Sequence, residues 1–383
     1  MPRDTQSILY SMDTNPFEDL AWGGFRGSNV WNIYPNTIGV PAGRRRGRYA
    51  TFESMKKVQD RYWKKGIPLG MELELEIPTH DNLRDYEPVK EVMLLINKRV
   101  QDGMKNFAMR QGEDLFRYVT PVTAKGDGSL RNGVEFNFQP MTRTAFTKYV
   151  AYAFEDIGYD KFEGFRTNSA GIHIHMPKSA FSDPELFMYI MLWDTMLSAK
   201  TRNGKTFSEV MGQRAYNNYC ASRPARWDGN TRAQEIISAV RERSSRTGKF
   251  NAFNYAGHGN TIEIRSFKSN QDPRRLIKNM AFVDMSWRYV HLLMDFANDG
   301  RYDKLWQFLS DIDMFAMYLQ NPTMKGYNEN LARFVRASWR RGRVNGPNTF
   351  DASVKNAFIA CNEEFQSRDW EQTNQDTTEE VTS

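Results

Sequence analysis

Two of the chain's five histidines, His173 and His175, lie two residues apart in the stretch NSAGIHIHM. The run MELELEI places Glu72, Glu74 and Glu76 at the same spacing. Glu135 with Asn137 in GVEFNF, and Glu263 with Arg265 in TIEIRSF, repeat it. Carboxylates, imidazoles and a guanidinium set on alternate positions are the groups that hold a divalent cation and neutralise an oxyanion. Oxygen donors with an occasional imidazole suit Mg²⁺ or Mn²⁺. An H-x-H pair also serves zinc. Cys220 and Cys361 are the only cysteines, however, and the surplus of carboxylates favours a harder ion. One imidazole is expected to bind metal and the other to contact a substrate phosphate or carboxylate.

A period of two is the grammar of β-strands, whose side chains alternate between faces. GMELELEIP then puts its glutamates on one face and Met71, Leu73, Leu75 and Ile77 on the other. GIHIHM opposes its histidines to Ile172, Ile174 and Met176. Val134, Phe136 and Phe138 oppose Glu135 and Asn137, and Ile262 and Ile264 oppose Glu263 and Arg265. The apolar sets suit helix packing behind a sheet. The plain alternative is that each polar face is simply wet. Solvated faces usually mix signs, whereas three aligned glutamates repel unless a cation neutralises them.

The elements around these strands follow from the same patterns. RYVTPVT and GVEFNFQP read as strands joined by the turn KGDGSLRNG. Helical spacing covers Val89 to about Met109, Thr142 to Ile157, Asp272 to about Phe296, and most of the chain beyond to about 365. In SDPELFMYIMLWDTMLSAK, Ser182 followed by Glu185 is a capping-box signature. The order is mixed α+β with antiparallel hairpins, so a mainly antiparallel sheet with helices packed on one face is expected. Residues 1–65 read as an irregular extension with GRRRGR (43–48) as a basic patch. Residues 301–365 read as a helical C-terminal region, and 366–383 as a disordered acidic tail.

Four motifs, in order over about 66–280, resemble the amidoligase family. These are carboxylate–amine ligases distantly related to glutamine synthetase and glutamate–cysteine ligase, with phage-encoded members. The motifs are Gly70-Met71-Glu72-Leu73-Glu74; Asp127-Gly128-Ser129-Leu130 with Gly133-Val134-Glu135; Ala170-Gly171-Ile172-His173-Ile174-His175; and Thr261-Ile262-Glu263-Ile264-Arg265-Ser266-Phe267. The resemblance implies a glutamine-synthetase-like catalytic domain over 66–300, with a curved sheet whose polar concave face is the active-site trough. It implies ATP and two or more Mg²⁺ or Mn²⁺ ions, with amide formation through an acyl phosphate. Carried over, Glu72, Glu74, Glu135, Glu263 and His173 match metal ligands, and Arg265 matches a stabiliser of the transferring phosphoryl group. Glu135 and His175 join Arg265 as catalytic candidates. Asp127, Ser129, Arg223, Lys249 and Asn254 are expected near nucleotide or substrate. Arg214 and Arg226 are further candidates for phosphate contacts, and the reach of Glu76 to a metal is open. The expected substrates are a carboxylate and an amine, from an amino acid, peptide, polyamine or protein side chain.

Composition bounds these readings. The chain has 383 residues, 40% of them hydrophobic, so a large core is available. A net charge of +6 permits polyanion contacts without requiring them. Two cysteines give no disulfide framework. The N-terminus has no signal pattern, and the apolar run LFMYIMLWDTML is interrupted by Asp194, so no membrane contact and a cytoplasmic location (the host's, if phage-encoded) are expected. No phosphate loop, G-x-G-x-x-G or G-x-S-x-G is present. A metal-dependent hydrolase or nuclease using the same carboxylates and histidines is the alternative activity. Its nucleic-acid contacts would come from Arg44–Arg46 and Tyr49, or from Arg340, Arg341 and Arg343 with Trp339. An inactive structural relative is the third reading.

Overall fold

The structure, a computed structural model, describes residues 67–76, 95, 99, 122–127, 130, 133–155, 162, 167, 169–201, 203–212, 214, 217, 220–221, 229–241, 251–254, 261–339 and 350–381. The expected extension over 1–65 lies outside them, as does all of the Val89–Met109 helix but Leu95 and Arg99, both helical.

Among the described residues, six strands form one sheet: β1 (Pro68–Glu76), β2 (Val122–Asp127), β3 (Gly133–Thr142), β4 (Gly171–Pro177), β5 (Phe253–Asn254) and β6 (Thr261–Lys268), in the order β2-β3-β1-β4-β6-β5. The β2–β3, β3–β1 and β1–β4 pairings are antiparallel, as expected. Register confirms the shared faces. Glu72 is level with Asn137 on one side and His173 on the other, and Glu74 is level with Glu135. The β1–β3 register slips between Leu69 and Met71, opposite Pro140, which has no N–H to give the ladder.

Behind the sheet, Phe136 meets Phe154 and Phe162 edge to face, and Phe138 meets Phe146 and Phe154. The segment carrying Phe146 and Phe154 is less regular than the expected helix over 142–157. β3 runs through Thr142, and Arg143–Phe154 then passes through α, π and 3₁₀ turns.

The helices follow as α1 (Asp183–Ser198), α2 (Phe207–Gly212), α3 (Gly229–Arg241), α4 (Pro273–Asn298), α5 (Tyr302–Ser310), α6 (Ile312–Gln320), α7 (Glu329–Ser338) and α8 (Ala352–Val381). α8 is helical through most of the segment read above as a disordered tail. The chain divides into two compact units. One comprises Met1–Pro177, Gly212–Tyr219 and Ile264–Ala281; the other comprises Lys178–Met211, Cys220–Glu263 and Phe282–Ser383. In the second, α1 packs on α3, α5 and α8, and Trp193 of α1 stacks on Phe253 at 4.9 Å. Among the described residues, no helix is long and apolar enough to cross a membrane.

Candidate metal centre

β1 and β4 bring carboxylates against imidazoles. Glu72 Oε2 lies 3.1 Å from His173 Nδ1, and Glu72 Oε1 lies 3.1 Å from His175 Nε2. Across the ladder His175 is level with Gly70, which presents no side chain, so the imidazole can lean toward Glu72. Burial alone would raise the Glu72 carboxyl. The charge on His175 and hydrogen bonds from both imidazoles outweigh it and hold the group well below the usual carboxylate value.

One layer further in, Glu74 is committed to protein partners. Its Oε2 accepts the Gly171 N–H at 2.7 Å, its Oε1 lies 3.3 Å from His173 Nε2, and the Ser269 hydroxyl donates to its backbone carbonyl. His173 is therefore surrounded by Glu72, Glu74 and Arg265, whose Nη1 is 3.4 Å from its Nδ1. Glu135 is buried, level with Glu74 in β1 and with Lys125 in β2. Glu76 accepts from the Ser169 hydroxyl.

The simple wet face is overturned by burial. Glu74, Glu135, His173, Glu263 and Arg265 are each at most 7% exposed. Buried charges need partners or a metal, because desolvating them alone is costly.

Glu72, His175 and Glu263 each offer a ligand atom, and these atoms lie within 4.8 Å of one another. Two carboxylates and one imidazole fit a hard divalent cation. His175 thus stands in the candidate ligand cluster, while His173, for which a metal contact was expected, sits among Glu72, Glu74 and Arg265. The register is the reason, since it sets His173 directly against Glu72 and leaves His175 beside a glycine.

Asn254, expected near nucleotide, is fully buried, and its Nδ2 donates to Glu263 Oε2 at 3.1 Å. It orients a candidate ligand, as residues behind metal ligands do. Arg214, a candidate phosphate contact, is buried with its guanidinium on backbone carbonyls. Trp339, a candidate stacking platform for nucleic acid, is 6% exposed and donates its indole N–H to Asp313 at 2.7 Å. Asp127 ends β2, its backbone level with Gly133. Ser129, Arg223, Arg226, Lys249, Arg340, Arg341 and Arg343 lie outside the described residues.

Sequence reasoning missed Ser169, Ser269 and the role of the Gly171 N–H. The small residues before G-x-H-x-H were a signal for the last, since only a close backbone approach needs them. Compared with known proteins, the chain matches no family model, and no curated protein matches it.

Proposed function

We propose that this chain is an ATP-dependent carboxylate–amine ligase that forms an amide or isopeptide bond through an acyl phosphate, on a glutamine-synthetase-like curved sheet. The observation that carries the reading is the cluster of Glu72, His175 and Glu263, set on strands whose motifs resemble the amidoligases. These three residues would hold Mg²⁺ or Mn²⁺, which supplies charge neutralisation at phosphoryl oxygens. Asn254 would keep the Glu263 carboxylate turned toward the ion, and His173 with Glu74 would hold Glu72. Arg265 would meet the charge of the transferring phosphoryl group. Removing one such stabiliser typically costs on the order of 10²–10³ in rate.

In the overall reaction a substrate carboxylate oxygen attacks the γ-phosphorus of ATP, and ADP leaves. The amine nitrogen then attacks the acyl carbon, phosphate leaves, and the nitrogen gives up a proton. ATP and the two substrates rest on the resemblance, and the proposed cytoplasmic setting on two cysteines that give no disulfide framework.

The test is thermal unfolding with Mn²⁺ or Mg²⁺, with ATP, and with both together. A ligand at a hundredfold excess over its dissociation constant stabilises the native state by about 2.7 kcal/mol. We expect a shift that needs metal and nucleotide together and is lost in Glu263→Ala, followed by phosphate release only when a carboxylate and an amine are present. A shift with metal alone, indifferent to any nucleotide, would sink the ligase reading and leave the metal-dependent hydrolase. No shift with any metal would remove both.

A further inference from the structure

The chain after α2 is fastened to the sheet where two functional strands begin and turn. Gly212 approaches β6 so closely that a Cβ there would overlap the Ser266 carbonyl oxygen and lie 2.7 Å from its carbon. Two residues on, Arg214 is only 2% exposed. Its Nη2 donates to the Ser169 carbonyl at 2.7 Å and its Nη1 to the Arg265 carbonyl at 3.2 Å. One guanidinium thus joins Ser169, two residues before β4, to the middle of β6. A guanidinium suits this because its donors form a rigid planar fork, which an ammonium lacks.

Gly171 is the space this requires. A Cβ at that position would overlap Arg214 Nη1 and lie 2.7 Å from Cζ. The Gly171 N–H meanwhile donates to Glu74 Oε2, whose other oxygen faces His173. Fastening Ser169 and Arg265 therefore sets where the Gly171 amide points, and with it Glu74, His173 and the Arg265 side chain.

We infer that Arg214 is a positioning residue: it clasps β4 to β6 through the carbonyls of Ser169 and Arg265 and so holds the layer of Glu74 and His173 that orients Glu72. Its effect on metal binding rests on the cation reading proposed above; the clasp itself does not.

The test uses full-length Arg214→Ala and Arg214→Lys, each checked for folding by circular dichroism. Two quantities are read: hydrogen exchange of the Gly171 amide against the β1–β3 ladder amides, and Mn²⁺ affinity by electron paramagnetic resonance. Lysine keeps the charge and most of the length of the side chain without the fork, so it covers the case in which the alanine variant does not fold.

Exchange at Gly171 is expected to quicken about tenfold or more in both variants while the ladder stays protected, since a hydrogen bond to a charged group is worth at least that factor. Mn²⁺ binding is expected to weaken by a similar factor, and millimolar guanidinium should restore both quantities in Arg214→Ala. A destabilised fold without a clasp would lose ladder protection too and gain nothing from guanidinium. Wild-type exchange at Gly171 in a folded variant overturns the inference, as does unchanged Mn²⁺ affinity where the wild type binds the ion. If the wild type binds no Mn²⁺, the cation reading fails by itself and Gly171 exchange still decides the clasp.

Discussion

Burial governs how individual charged residues behave in this protein. Lys278 on α4 is 4% exposed, with its ammonium 5.7 Å from the centre of the Phe267 ring. Burial, with a smaller contribution from the Arg275 charge, lowers it from the usual 10.5 to about 7. The unfolded chain therefore binds more protons than the native one between those values, so this lysine makes stability rise with pH across that window. Lys278→Met should be more stable than wild type at pH 7 and should lose that part of the slope, read from urea midpoints at pH 7 and 10. An unchanged slope would show that the ammonium is accommodated as a charge. The residue types at the candidate centre were legible in the sequence, because glutamates and histidines at period two are an unusual choice for a solvated face. Which histidine joins Glu72 and Glu263 in the candidate cluster was not, because that depends on the register between β1 and β4.

Among the elements, β1 shows which sequence signal prevails. Met, Leu and Glu are all good helix formers, yet MELELE is a strand. Its alternation allows one face to be apolar and the other to carry the carboxylates, and pairing on both sides rewards that pattern over local propensity. The start of α1 was equally legible. Ser182 accepts from the Glu185 N–H at 3.4 Å, and Glu185 accepts from the Ser182 N–H at 2.7 Å. Ser182→Ala should cost about 1 kcal/mol in chemical denaturation, the usual worth of an N-cap, with the fold unchanged. A change near zero would mean that packing alone holds this end of the helix. Glu185 also accepts from His291, and although burial opposes it, these bonds lower its carboxyl below the usual value. The irregular turns after β3 were not legible, because Phe146 and Phe154 must reach fixed places beneath Phe138 and Phe136, and a uniform helix was the simpler expectation from spacing.

At the scale of the molecule, the helical unit contains a buried ion pair. Asp194 accepts from Arg232 Nε at 3.0 Å and from Nη2 at 2.8 Å, and both side chains are under a tenth exposed. Burial raises the Asp194 carboxyl, and the arginine's charge and hydrogen bonds offset part of that. Arg232→Ala should cost about 3–5 kcal/mol, because it leaves a buried carboxylate unpaired, whereas Asp194→Leu with Arg232→Leu should be nearly neutral. Urea denaturation of the two variants checks this, and equal losses in both would mean that the pair itself is strongly stabilising. The sequence displayed Asp194 only as an interruption in an apolar run; that a lone aspartate in a buried helix must have a partner was inferable, but not which one. By itself, then, the sequence determined β1, β3, β4 and β6, the faces that carry the charged groups and the cap of α1, since each depends on neighbours two to four residues apart. It set β2 too early, on RYVTPVT rather than Val122–Asp127, and did not show the two-residue β5. Only the tertiary structure decided that Arg214 clasps two strands, that Asn254 serves Glu263 and that Arg232 meets Asp194. Those contacts join residues 9 to 51 positions apart, and chain spacing does not encode which distant groups meet once the strands are in register.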